Sequence, residues 1–248
     1  MITIRAIHDG SGGAGRINED VLLIKDGKFG VFDGATSLTK FTNEDGETGA
    51  KIAARIAAET FATGSGTLRD CALLANENIR NAMSCAGIDT TKKEALWSTV
   101  AAVVRLNENT LDFFQIADCL ILVLYQDASY GLLTEYHNHD LETLRLCKDL
   151  GRKKIENMRE ALMPQIRATR QNVNKTFGSL NGEPEAVRFF KCGTVELRRV
   201  ESVILFTDGL IIPTEDPDGP DEWGLMASLY RTSGLVGIHR HVRALEKS

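Results

Sequence analysis

No stretch of this 248-residue chain is apolar for long enough to cross a membrane; the apolar runs, such as Leu120 to Tyr125 and Val100 to Val104, are of strand length. The opening Met1-Ile2-Thr3-Ile4-Arg5 does not read as a secretory leader, so a cytoplasmic protein without a membrane partner is expected. No Cys-x-x-Cys pair occurs. The five cysteines, Cys71, Cys85, Cys119, Cys147 and Cys192, lie far apart and are odd in number, which argues against a disulfide framework and against a zinc knuckle. They are expected to be reduced, mostly buried thiols. Lysine and arginine form no stripe, and at a net charge of -5 the chain is not expected to bind nucleic acid. No Pro/Ser/Gly-rich tract, internal repeat or low-complexity segment divides it. With 43% hydrophobic residues, one domain over 1–248 can bury a single large core.

What the chain does have is a repeated strand ending. Leu22-Leu23-Ile24 through Val31-Phe32 stops at Asp33-Gly34, and Val203-Ile204-Leu205-Phe206-Thr207 stops at Asp208-Gly209. Asn18-Glu19-Asp20 lies a strand length before the first of these. If the strand ends meet, as many as four carboxylates converge where hydrophobic strands finish. Carboxylates gathered without a cation repel one another and are costly to desolvate. Hard oxygen donors of this kind suit Mg²⁺ or Mn²⁺ and not zinc or copper.

Hydrophobic periodicity places the remaining elements. Ile2 to Ile7 alternates like a strand, and Asp26-Gly27 between Val21–Lys25 and Phe29–Phe32 fits a type I′ hairpin. Thr48 to Ala62 and Thr67 to Ala86 have helical spacing of small and apolar residues. Strands follow at Thr99–Leu106, Leu111–Ala117, Leu120–Tyr125 and Gly131–Thr134, and are read as an antiparallel meander. A helical region spans Leu141 to Arg170, strands return at Arg188–Cys192, Thr194–Leu197 and Ser202–Thr207, and Asp221–Glu246 closes the chain as a helix. Runs of strands joined by hairpins and interleaved with helix pairs predict an α+β fold of antiparallel sheets with helices packed outside.

Six short motifs stand in order on these elements: Asn18-Glu19-Asp20, Val31-Phe32-Asp33-Gly34, Ser98-Thr99-Val100-Ala101, Ile116-Ala117-Asp118, Leu180-Asn181-Gly182 and Leu205-Phe206-Thr207-Asp208-Gly209-Leu210. In order and spacing, nearly the whole chain resembles the type 2C, metal-dependent Ser/Thr protein phosphatases of bacterial type. The resemblance implies a sandwich of two antiparallel β-sheets flanked by pairs of α-helices (αββα). It also implies two Mn²⁺ or Mg²⁺ ions per site, with a third in some members, and a phosphorylated protein as substrate. By that resemblance Asp33 bridges the two metals, the carbonyl of Gly34 holds one of them, Asp208 binds the other, and Glu19 and Asp20 hold metal-bound waters. Asp118 serves the accessory third metal, and Arg16 grips the phosphate, since a guanidinium matches phosphate oxygens bidentately. The implied reaction is hydrolysis of phosphoserine or phosphothreonine by a metal-bridged water, with no protein nucleophile. Glycine at position 34 is read as keeping the backbone open to close approach by the metal.

The chain departs from the family pattern at four places. Arg16 lies one residue nearer Glu19 than is usual, Ala35 replaces the His-Gly-Gly that follows Asp-Gly in eukaryotic members, and Ala117-Asp118-Cys119 stands where Gly-Asp-Ser is usual. The terminal family strand, whose Asp completes a metal, is not found by Glu246-Lys247-Ser248, and Asp216, Asp218 and Asp221 lie too near the Asp208 strand to replace it, so either the sequence is truncated before that strand or the site is incomplete and weakly active. The terminal Asp not found and the altered Ala117-Asp118-Cys119 motivate an alternative, a catalytically weak or inactive relative that binds or regulates a phosphoprotein; a phosphatase for a small phosphorylated metabolite is a third reading. Cys192 and Arg198 have the Cys-x5-Arg spacing of cysteine-dependent phosphatases, but the strand-like Thr194-Val195-Glu196-Leu197 between them cannot cradle a phosphate. His137-x-His139-Asp140 and His239-x-His241 are read as solvated histidines, and Gly10–Gly15 as a loop near the cleft that lacks the features of a nucleotide P-loop.

Overall fold

The computed structural model describes residues 3–8, 11–12, 16–35, 37–152, 157–214, 216, 219 and 222–247. A short antiparallel pair, β1 (Ser11–Gly12) and β2 (Arg16–Ile17), precedes the first hairpin, β3 (Val21–Lys25) and β4 (Lys28–Ala35). Its turn residues Asp26 and Gly27 both have positive φ, 49° and 73°, as a type I′ turn requires. The first sheet has the order β3-β4-β5-β6-β9, where β5 is Ser98–Leu106, β6 Thr110–Ile116 and β9 Lys191–Glu196. The second has the order β10-β7-β8, with β7 at Leu120–Tyr125, β8 at Tyr130–Leu132 and β10 at Val200–Phe206. Every pairing is antiparallel.

Alternation along β7 and β10 explains why the sheets stack. Ile121, Val203 and Leu205 join the core under the first sheet, whereas Leu120, Leu122, Leu124, Ile204 and Phe206 form a second core. That second core is closed by Met226, Ile238 and Val242 of α5 (Trp223–Leu245), a helix interrupted at Gly234, whose φ of 64° and ψ of -164° suit glycine alone. On the outer face of the first sheet lie α1 (Gly49–Thr63) and α2 (Leu68–Cys85), each started by a threonine N-cap, Thr48 and Thr67. Asp70 completes a capping box with Thr67. Phe61 of α1 meets Phe32 of β4 and Phe114 of β6 at centroid distances of 5.7 and 5.3 Å, and burying each ring contributes about 2–3 kcal/mol. The expected α+β sandwich of two antiparallel sheets is therefore formed. Helices α3 (Leu141–Arg152) and α4 (Met158–Asn172) pack on each other, and α4 leans on the helical turn Lys93–Ala95.

Helix α1 is tied at both ends. Lys28 of β4 is buried and donates its Nζ to the carbonyls of Phe61, at 2.9 Å, and Gly64, placing a cation at the helix C-terminus. At the other end a Cβ added to Gly34 would lie 2.7 Å from the Ala50 carbonyl oxygen and 2.9 Å from Glu19 Cβ. Glycine 34 is thus required by the close approach of Ala50 and Glu19, a constraint that stands beside the expected approach of a metal.

Four expectations change. Strands β6 and β7 do not pair, because Ala117, at φ 56°, turns the chain from one sheet into the other; the meander is split between the layers. Residues 3–8 form no strand, and Ile4 and Ile7 are exposed. Pro184 starts a 3-10 helix that runs to Phe189, so Arg188 opens no strand. All five thiols are free, but only Cys71 and Cys119 are buried; Cys85 and Cys192 are exposed. Asp218 and Asp221 lie outside the described residues, and Asp216 pairs with Lys148 at 3.5 Å.

The Leu180-Asn181-Gly182 motif is held by buried amides. Asn76 Oδ1 accepts from the backbone N–H of Asn181 and Gly182 at 3.0 and 2.8 Å, and Asn174 accepts from Ser179 N at 2.9 Å while donating to Asn181 Oδ1 at 2.8 Å. Removing Asn76 strands two buried donors. Asn76→Ala should lower the unfolding free energy by about 3 kcal/mol, measured by urea denaturation; a loss below about 1 kcal/mol would show that the clamp is dispensable.

Candidate active site

The pleat of β4 decides where its terminal carboxylate points. Lys28, Gly30, Phe32 and Gly34 are the buried positions of β4, and Lys28, Phe32 and Gly34 each meet α1, so Asp33, one residue out of step, faces the second sheet. Its backbone is fixed from β5, where Thr99 sits opposite Gly34 and donates its hydroxyl to the Asp33 carbonyl at 2.8 Å. Thr99 also bridges to Leu180 through both backbone groups, so the Ser98-Thr99 and Leu180-Asn181 motifs brace the strand tip.

Asp208 follows the last strand, β10, and begins a 3-10 turn Asp208–Leu210 whose Gly209 carbonyl accepts from Arg243 of α5. The two Asp-Gly ends do meet: the side chains of Asp33 and Asp208 lie within hydrogen-bonding reach of each other, as do those of Asp33 and Asp20. Thr207 donates its hydroxyl to Asp20 Oδ2 at 3.2 Å. The turn carrying Glu19 and Asp20 is anchored on α1. Asp20 N donates to Asn18 Oδ1 at 2.7 Å, Lys51 donates to the Asp20 carbonyl at 2.7 Å, and Thr48, the α1 N-cap, donates its hydroxyl to Glu19 Oε1. Asp118 comes from the crossover at Ala117, whose positive φ costs an alanine about 1 kcal/mol more than a glycine.

The electrostatics are those of a crowded anion cluster. Burial, reinforced by Asp208, Asp20 and Asp118, pushes the Asp33 carboxyl up to about 10. Burial with Asp208 nearby raises Asp118 to about 7, and burial also raises Asp20 and Asp140. Asp33 therefore holds a proton between Asp20 and Asp208. Among the described residues no group of three or more His, Cys, Asp or Glu side chains is arranged to hold a metal ion as they stand. The donor set nonetheless fits a hard divalent cation by its chemistry, since a cation takes the place of exactly that forced proton.

Sequence reasoning missed two members. Arg170 of α4 is largely buried with its guanidinium in the field of Asp140, Asp118, Asp33 and Glu19, while burial lowers its pKa. It also lines a small cleft with Ala35, Ser98 and Asn181, beside the β4 tip. Arg170 carries no motif in sequence, and Asp140, just before α3, stands there only beside the His137-x-His139 pair read as solvated; the fold of α3 on α4 brings both in. Of the expected phosphate-gripping residue, Arg16, the structure describes the backbone, paired with Gly12, and its side chain lies outside the described part. Cys192, on β9, is far in register from this strand end.

Residues 14–237 match the protein phosphatase 2C family profile. Solved structures of similar fold include Stp1, a serine/threonine phosphatase from Staphylococcus aureus, at 13% identity and a TM-score of 0.53, covering 97% of this chain and 95% of that one. The Mycobacterium tuberculosis serine/threonine phosphatase PstP/Ppp matches at 15% identity, a TM-score of 0.52, and 94% and 90% coverage. The catalytic domain of PstP in complex with two manganese ions matches at 13% identity, a TM-score of 0.56, and 96% and 87% coverage. At these identities the likeness is one of fold. Comparison with curated protein sequences gave no match.

A stability prediction follows from the trapped protons. The unfolded chain ionises its aspartates near 3.8, whereas folded Asp118 and Asp33 keep their protons to about 7 and about 10. Over that interval the folded state binds more protons, so their contribution is complete below pH 4 and is lost as pH rises. Metal-free protein in EDTA should lose melting temperature between pH 5 and 8, and Asp33→Asn should raise the value at pH 8 by at least about 3 °C. An unchanged or lowered melting temperature in the variant would mean that the cluster is not repulsive.

Proposed function

Because the chain belongs to the protein phosphatase 2C family, we propose that it is a Mn²⁺- or Mg²⁺-dependent hydrolase of phosphoserine and phosphothreonine in proteins. The observation that carries this reading is the convergence of Asp20, Asp33, Asp118 and Asp208 from three separate chain segments onto one mouth between the sheets, with Asp33 forced to hold a proton. Carboxylates drawn together at a partly buried mouth repel one another unless a cation offsets them.

In this reading Asp33 and Asp208 would hold the ions, with the Gly34 carbonyl as a further donor. Asp20, oriented by Thr207, and Glu19, oriented by Thr48, would hold water near them. Asp118 serves a weaker accessory position, and the PstP catalytic domain complexed with two manganese ions supports two as the working number. Divalent cations supply, when bound, neutralisation of the phosphoryl oxygens and acidification of an attacking water. Arg16 and Arg170 are the chain's own cations for the phosphate. Arg170 is the one already set among the carboxylates, so it balances their charge until a phosphoryl group arrives. A phosphate dianion brought to this mouth meets no repulsion once protons have given way to cations.

A second reading, a phosphoprotein-binding relative with little or no turnover, is favoured by one observation: the described carboxylates turn onto each other and form no ready ligand set. Hydrolysis of a phosphothreonine peptide against manganese concentration separates the two. The phosphatase reading expects activity that needs manganese, is abolished by EDTA, and falls at least about a hundredfold in Asp33→Asn. Asp208→Ala should raise the manganese requirement, and Cys192→Ser should retain full turnover. Absence of turnover at every manganese level, with phosphopeptide still bound, would establish the binding role; loss of turnover in the Cys192 variant would overturn the metal-based reading.

A further inference from the structure

Helix α4 separates two spaces. On one side Arg170 lies in the field of Asp140 and Asp118, and on the other Gln165, Thr169 and Asn172 line an open cavity of about 250 Å³ bordered by His139, Glu142 and Phe177. Two chain-adjacent pairs straddle the divide. His139 lines the cavity while Asp140 faces the carboxylate cluster, and Thr169 lines it while Arg170 faces the cluster. Helix α4, about 10 Å across with its side chains, is the wall between them, so the cavity opens about one helix diameter from the cluster. An extended peptide advances about 3.3 Å per residue. With its phosphorylated residue at the cluster, a residue three or four places along reaches the cavity.

The wall has a definite chemistry. The His139 imidazole stacks on the Phe177 ring with centroids 4.4 Å apart and planes 19° from parallel, making a flat aromatic face. Burial holds the imidazole pKa down to about 4, so that face is neutral at physiological pH. Glu142 is the carboxylate in the lining; its side chain is mostly exposed and pairs with Arg145 on the same helix. The amide oxygens of Gln165 and Asn172 and the hydroxyl of Thr169 add acceptors. A flat aromatic face, neutral acceptors and one carboxylate match a guanidinium, which stacks through its plane and donates from its edge. An acidic side chain would meet Glu142, and an apolar one would leave the acceptors unpaired.

We propose that this cavity is a subsite for an arginine side chain three or four places from the phosphorylated residue of a protein substrate. The proposal rests on the phosphatase reading for its substrate, but its test reads binding. Two peptides carrying a non-hydrolysable phosphonate analogue of phosphothreonine, one with arginine at those places and the other with citrulline, are titrated into the manganese-loaded chain by calorimetry. The arginine peptide should bind about tenfold more tightly, citrulline having the same shape without the charge. In Glu142→Gln, an exposed position that leaves folding intact, the ratio should fall to about threefold, and in His139→Ala it should fall further. Equal affinities in the unmodified chain, or a ratio unchanged in both variants, would overturn the subsite. Hydrolysis of p-nitrophenyl phosphate by the same preparation reports separately on the phosphatase reading: arginine selectivity without turnover sinks that reading alone, and turnover without selectivity sinks the subsite alone.

Discussion

The structure depends on holding like charges together between two sheets. Asp33, Asp20, Asp118 and Asp208 repel one another in a setting where burial raises the first three, and every brace around them serves to keep that arrangement from relaxing. Thr99 pins the β4 tip from the neighbouring strand, Thr207 pins Asp20 from the opposite sheet, and the N-terminus of α1 pins Glu19 through Thr48. Asn76 and Asn174 in turn hold the segment on which Thr99 leans. A cluster that was free to spread would cost less and would bind a cation less well.

The outer layers are built to the same end. Glycine 34 lets α1 come down onto β4 until Ala50 and Glu19 touch the strand, and Lys28 secures the far end of the helix. Helix α5, broken at Gly234, returns far enough for Arg243 to reach the Gly209 carbonyl beside Asp208. Helix α4 supplies Arg170 to one side and the wall of the neighbouring cavity to the other. The core helices thus contribute stability and also set the shape of the mouth.

Much of this was legible in the sequence because it rests on local rules. The Asp26-Gly27 hairpin, the helical spacing of α1 and α2, and the two apolar strands ending in Asp-Gly are each decided within a few residues. What escaped depends on tertiary placement. The split between β6 and β7 turns on an alanine at positive φ, which no propensity favours. Arg170 ends a helical region whose pattern gives no sign of which residue faces the cluster, and Asp140 lies just before it. Ile2 to Ile7 alternates like a strand, yet residues 3–8 form no strand, since alternation shows which face can be buried but not whether a neighbour is there to bury it.

The central claim is that the cluster exchanges protons for divalent cations. Calorimetric titration of manganese into the chain at pH 7, repeated in two buffers of different ionisation enthalpy, counts the protons released. The account predicts saturable binding with at least about one proton released per chain, because folded Asp33 is protonated at that pH. Binding without proton release, or no binding heat in either buffer, would contradict it.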